Sequence, residues 1–307
     1  MRDDLRRGVL FMLAATVTFS CSDAMSKYVT AEVPAVELAT IRYAVFVLMA
    51  ALPFVRSPRL AALRSRRPML QLARGLGVVG SALFFVLALG RMPIADATAI
   101  NFVNPLLITV LAVPLLGERV SGRGWLAVVA GFAGMLLVVR PGPLGAAGAG
   151  LQPAALLVLG CSLSWGAAML VTRRLVRFDR SAVTLFWTAA TGLVVLLFLL
   201  PFFAQALTAG QLWLCLVVGV VASLGQALAV LAYRHAPASV LAPLSYAQLI
   251  WSSVLGWQVF GHVPDRWVLV GGVVIAASGI AVVRLERARA ASASPPPVRV
   301  PVEAAKN

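Results

Sequence analysis

Ten apolar runs, each about 20 residues long and close to the length that crosses a bilayer as a helix, govern what this chain can fold into. They lie at roughly 8–29, 34–54, 70–90, 93–116, 122–140, 151–172, 181–203, 211–233, 237–260 and 265–284. Only helices and closed barrels satisfy every backbone donor and acceptor within hydrocarbon. A barrel would read as alternating segments of about ten residues, which this chain lacks. The chain is 61% apolar and 12% charged, against about 45–50% apolar and 25% charged in a soluble protein. The charges stand between the runs, where a soluble fold would spread them along amphipathic faces. The expected fold is all-α and integral to the membrane, with ten transmembrane helices.

The net charge of +15 does not read as nucleic-acid binding once the charges are placed. With the N-terminus in the cytoplasm, inner segments hold 20 of the 26 Lys and Arg residues and outer segments hold four: Lys27, Arg91, Arg140 and Arg266. That asymmetry is the positive-inside pattern and sets an orientation, with both termini cytoplasmic and the inner cell membrane as the location. Arg42 and Arg74 remain inside spans, Arg74 close enough to the inner end to snorkel. The first run follows Arg6 and Arg7 as a signal peptide would, but it is long and has no small-x-small cleavage site. Cys21, Cys161 and Cys215 fall in three different spans without metal-ligand spacing, so no metal and no cofactor is expected. Nucleotide-loop and hydrolase motifs are absent from the sequence. The partners implied are a small-molecule substrate and the lipid bilayer, with a homodimer left open.

The sequence also repeats itself. A shift of 144 places Pro93 on Pro237, Phe102 on Tyr246, Asn104 on Gln248 and Gly117 on Gly261, and "VVR" at 138–140 on "VVR" at 282–284. A shift of 146 places Phe19 on Trp165 and Lys27 on Arg173. The expected organisation is a first five-helix repeat over 1–140, an external linker at 141–150, a second repeat over 151–285 and a disordered cytoplasmic tail at 286–307. A repeat with an odd number of spans enters the membrane from opposite sides in its two copies. Inverted repeats of that kind are typical of alternating-access carriers, whose substrate site lies near the midplane between the halves.

The ten spans, the segment "PIADATAINFVNPLLITVLAVPLLGE" and the following "GWLAVVAGFAGMLLVVRPG" resemble the drug/metabolite transporter superfamily, EamA type. The opening "SDAMSKYV" is similar to the branch that includes bacterial riboflavin carriers. The second half departs from the family pattern, with His262 where a glutamate often stands. The resemblance implies that the fifth and tenth spans form a scaffold away from the pathway.

Two groups of residues carry the chemistry. Asp23 and Lys27 are four apart on one helix face. The plain alternative for them is a local ion pair with Lys27 snorkelling to water. Asp23 lies roughly 9 Å and Arg42 roughly 10 Å below the outer ends of consecutive spans, at 1.5 Å per residue. Asp23, Lys27, Glu37 and Arg42 are therefore expected to form a polar gate near the outer mouth, with Asp23 the first candidate for proton coupling and Glu37 the second. A structural Asp23–Arg42 pair and facilitated exchange remain the rivals. The second group lies near the midplane. Asn101 and Asn104 stand three apart beside Pro105, and Gln248 is the repeat mate of Asn104. Phe102, Tyr246, Trp251, Trp165 and Trp187 lie at similar depth and offer faces for a planar substrate; core packing is the ordinary role of each. Amides, aromatics and few charges favour a neutral planar or zwitterionic metabolite such as a flavin or aromatic amino acid. A multidrug or toxic-cation exporter would favour an unpaired deep carboxylate. A membrane enzyme or receptor would need converging His, Asp and Glu groups or a soluble domain, and the sequence shows neither.

Overall fold

The computed structural model describes residues 2–55, 64–116, 120, 122–139, 153–175, 178–235, 241 and 244–293. Among them are eleven helices: α1 (Arg2–Val29), α2 (Ala35–Val55), α3 (Pro68–Leu89), α4 (Ile94–Asn101), α5 (Asn104–Leu116), α6 (Gly122–Val139), α7 (Pro153–Leu175), α8 (Ser181–Phe203), α9 (Ala209–His235), α10 (Ala247–Phe260) and α11 (Arg266–Ala293). Eight stretches are long and apolar enough to cross a membrane, counting α4 and α5 together as one. The ninth expected span runs through residues outside the description into α10, and the apolar part of α11 is Arg266–Val282. Large apolar side chains cover the outside, among them Leu48, Leu126, Phe198 and Phe202. Hydrocarbon solvates such a surface, whereas water would not.

Local signals set several helix ends. Thr208 and Gln211 form a reciprocal capping box at the start of α9, with Thr208 N donating to Gln211 Oε1 and Gln211 N to Thr208 Oγ1. Asp265 Oδ1 accepts from the backbone of Trp267 and Val268 and caps α11. Gly261, at φ +68°, closes α10 in the left-handed conformation that a side chain disfavours.

The packing pairs the halves in an exchanged way. α1 packs mainly on α9, and α3, the counterpart of α9, packs on α7, the counterpart of α1. α2 meets α8 and α6 meets α11, each helix against its own repeat mate. At the α6–α11 crossing, a Cβ on Gly134 would sit 3.0 Å from Gly271 O, so two glycines allow the backbones to touch. The largest buried apolar cluster joins α4 and α5 to α6, α7 and α11 around Ile100, Val103, Leu106 and Ile275. Segments assigned by charge to one side also meet one another. The approach to α3 contacts the α7–α8 turn, and the α1–α2 turn contacts the α8–α9 segment.

The structure adds two details to these spans. The fourth span is not one helix: it breaks at Phe102–Val103. Pro105 has no N–H to offer Asn101 O four residues back, so the chain tightens there, with Val103 N on Ile100 O and Leu106 N on Val103 O. The last helix, α11, continues to Ala293, beyond the expected end of the second repeat at 285. Its Ala- and Arg-rich sequence favours helix, and the mixed polarity that suggested a tail does not interrupt one. The 141–150 linker and residues 294–307 lie outside the described residues.

Candidate functional site

The break between α4 and α5 meets its counterpart in the other half. Phe102 caps the end of α4 and Tyr246 caps the start of α10, and both keep αR backbone angles at the helix ends. Their rings stand 4.8 Å apart at 53°, within the range of favourable tilted aromatic contacts. Tyr246 fits because of a glycine. A Cβ on Gly279 of α11 would overlap the tyrosine hydroxyl. That hydroxyl and Asn104 Oδ1 are buried without a hydrogen-bond partner.

The two midplane amides do not meet each other. Asn104 Nδ2 donates to Asn101 Oδ1 at 3.0 Å across the helix break. Asn101 Oδ1 also accepts from Ser162 Oγ at 3.2 Å, which joins α4 to α7. Gln248 Nε2 donates to Asp23 Oδ2 at 3.2 Å, and Ser20 Oγ donates to Gln248 O at 3.2 Å, which joins α10 to α1. The broken span of each half is thus tied to the first helix of the other half. Trp165 on α7 and Trp187 on α8 are half-buried. Trp251 on α10 is 37% exposed.

The four residues expected to form one gate have four separate attachments. Lys27 does not pair with Asp23. Its Nζ donates to Leu89 O and Met92 O, both at 2.8 Å, where α3 ends, and lies 5.6 Å from the Phe260 ring centre. A helix C-terminus presents free carbonyls and a negative dipole end, which outcompete a neighbour on the same helix. Glu37 is buried on α2 and its Oε2 accepts from Gln205 N at 3.5 Å. Arg42 Nη1 donates to Ser26 Oγ at 3.2 Å. Asp23 is 8% exposed and, among the described residues, makes no ion pair with Arg42, although the two charges lie within electrostatic range.

Sequence reasoning missed a polar network at the other end. Arg74 does not snorkel but is 9% exposed. Its Nε donates to Thr172 Oγ1 at 2.7 Å, and its Nη1 donates to Thr184 O and Thr188 Oγ1. Next to it, Asp179 in the α7–α8 turn accepts from Ser65 Oγ, from Arg66 N at 3.0 Å and from Gln71 Nε2 at 2.7 Å. Burial pushes the Asp179 carboxyl up, but these hydrogen bonds and the Arg66 charge together hold it below its ordinary range. The exchanged counterpart stands at the opposite end, where Gln211 Nε2 donates to Glu32 Oε2 at 3.0 Å and Gln205 Nε2 to Glu32 O at 2.7 Å. The usable signal was the spacing of Gln71 and Arg74, three residues apart in an otherwise apolar span, which places them on one helix face.

Comparisons with known proteins cover nearly all of this architecture. The EamA-like transporter family matches twice, at residues 6–140 and 152–285. A riboflavin transporter of Rhizobium johnstonii is 29% identical over 92% of this chain and 92% of its own. The pseudopaline exporter CntI of Pseudomonas aeruginosa is 27% identical over 93% of this chain and 99% of its own. An S-adenosylmethionine uptake transporter of Rickettsia bellii is 26% identical over 91% and 94%. A crystal structure of another protein superposes with a TM-score of 0.63 at 21% identity, over 92% of this chain and 98% of that one, and shares the fold.

Proposed function

Because the chain belongs to the EamA-like transporter family, we propose that it carries one small organic metabolite by alternating access through a site between its halves. It is a multi-pass membrane transporter of small molecules, not an enzyme. The observation that carries the finer reading is the ring contact of Phe102 with Tyr246, where the broken spans of the two halves meet. Helix breaks inside a membrane free backbone groups, and carriers use them to line a substrate site. Asn104 Oδ1 and the Tyr246 hydroxyl lie there without partners, so a substrate can satisfy them. Asn101, Gln248, Trp165 and Trp187 complete the proposed lining. The substrate class is a neutral planar or zwitterionic compound such as a flavin or aromatic amino acid.

In this reading the repeats are 1–140 and 151–285, both termini are cytoplasmic in the inner membrane, and Asp23 is the coupling carboxylate if protons drive the cycle. The Asp23–Gln248 bond links the halves and must change when they separate. The test is uptake by proteoliposomes containing the purified full chain, against a panel of riboflavin, aromatic amino acids and nucleosides. Saturable uptake of a panel member, absent from empty liposomes, supports the reading. Uniform leak-level uptake across the panel contradicts it.

A further inference from the structure

Where the approach to α3 meets the α7–α8 turn, the bundle carries a dense positive patch. The two segments that meet there, 56–67 and 173–180, hold nine arginines, no lysine and one carboxylate, Asp179. Arg64, Arg66 and Arg67 before α3, and Arg174 and Arg180 on either side of the turn, are all exposed. Orientation in a membrane asks only for charge, in any arrangement. This patch is ordered. Asp179 accepts from Ser65 Oγ, Arg66 N and Gln71 Nε2, which ties the backbone before α3 to the turn. The Arg67 guanidinium stands 5.1 Å from the Phe178 ring centre, and this cation–π contact holds it on the surface of the turn. An apolar stripe starts at the patch and follows the span. Met69 is 77% exposed, and Leu72 and Leu76 are exposed three and seven residues further along the same face of α3. The arginines thus stand at the polar end of the span, and the stripe runs from them into hydrocarbon.

We infer that this junction binds an anionic phospholipid, with its phosphate on Arg66 and Arg67 and an acyl chain along Met69, Leu72 and Leu76. A guanidinium holds a phosphate through two parallel N–H bonds, a geometry an ammonium does not offer, and every basic residue here is an arginine. An anionic lipid matches both parts of the surface. Soluble phosphate meets the arginines but leaves the stripe uncovered, and a zwitterionic lipid brings a cation that the arginines repel. The bound headgroup bridges the approach to α3 in the first repeat and the α7–α8 turn in the second, the same segments that Asp179 joins. A ligand held by the folded chain stabilises it, so the lipid strengthens that junction. The inference needs the chain to lie in a membrane and is independent of the carrier reading and its substrate.

The experiment is native mass spectrometry of the purified full chain in detergent, titrated with phosphatidylglycerol or with phosphatidylcholine of the same acyl chains. Phosphatidylglycerol is expected to bind more tightly. The net charge of +15 would itself give some preference, so the location of binding decides. An arginine near an anionic lipid is worth roughly a fivefold change in affinity. The double variant Arg66→Gln with Arg67→Gln should therefore bind phosphatidylglycerol roughly 25-fold more weakly and phosphatidylcholine as before. Arg91→Gln with Arg266→Gln, which removes two exposed arginines at the opposite end of the bundle, should leave phosphatidylglycerol binding unchanged. Inorganic phosphate in large excess should not displace the lipid. If the first double variant does not fold, phosphatidylglycerol with a photoactivatable group beside its headgroup should label 64–76 or 174–182 of the unaltered chain in preference to the opposite end. Equal binding of the two lipids, equal losses in the two double variants, labelling spread evenly over both ends, or displacement by inorganic phosphate overturns the inference.

Discussion

Replacing Asp179 with alanine removes three hydrogen bonds at once, from Ser65 Oγ, Arg66 N and Gln71 Nε2. The consequence reaches past the turn. Gln71 is fully buried and its Oε1 already has no partner. Without Asp179 its amide keeps only Thr184 Oγ1, at 3.2 Å. A single hydrogen bond is worth about 0.5–1.5 kcal/mol net, and the three share one half-exposed acceptor, so the expected loss is about 1–3 kcal/mol. For a chain of this size that corresponds to a fall of roughly 2–12 °C in the melting temperature of the detergent-solubilised protein. Asp179→Asn keeps one acceptor and should fall between the two. The pH dependence follows from the sign of the shift. The folded carboxyl titrates below its ordinary value of 3.8, so its contribution is fully present above that value and disappears as pH falls through the folded pKa. The gap between the unaltered chain and Asp179→Ala should therefore stay constant from neutral pH down to about 5 and narrow below about 4. A gap that persists in acid, or an alanine variant that melts with the unaltered chain, would refute the reasoning. The counterpart substitution Glu32→Ala should cost less, because Glu32 is exposed.

Three further outcomes are expected. Lys27→Met should lower the melting temperature by removing the cap on Leu89 O and Met92 O, at about 1–3 kcal/mol, whereas a residue that merely snorkels to water would leave it unchanged. Gly279→Ala should destabilise by about 1–3 kcal/mol, because its Cβ overlaps the Tyr246 hydroxyl; adding Tyr246→Phe should restore much of that loss, and strictly additive effects in the two-residue cycle would show that the groups do not meet. Reporter fusions at Asn307 and within 141–150 should fall on opposite sides of the membrane, and finding both on one side would sink the inverted repeat.

The architecture was readable because its signals are long. Uncharged runs of bilayer length define spans, and a shared register pairs Phe102 with Tyr246 before any contact is known. Pro105 marked the weak point of the fourth span, but a missing donor does not say whether a helix kinks or breaks; the tight turn at Phe102–Val103 depends on what packs around it. Partner choice was less legible. Asp23 and Lys27 are neighbours along one helix, yet the free carbonyls at the end of α3 take the lysine, and sequence does not say where another helix ends in space. Arg74 looked free to reach water until Thr172 and Thr188, roughly a hundred residues away, surrounded it. Short polar residues in apolar spans carry little signal alone, and their importance comes from the helices that bring them together.

The account's central claim is that substrate is held where the broken spans of the two halves meet. The most direct measurement is the apparent affinity for the transported substrate in proteoliposomes containing Asn104→Leu, compared with the unaltered chain at matched protein incorporation. Leucine keeps the bulk that the helix tolerates but removes the free Oδ1. The account predicts a KM raised roughly five- to 150-fold, the range of a lost hydrogen bond of about 1–3 kcal/mol, with the melting temperature little changed. An unchanged KM in a normally folded and incorporated variant contradicts it.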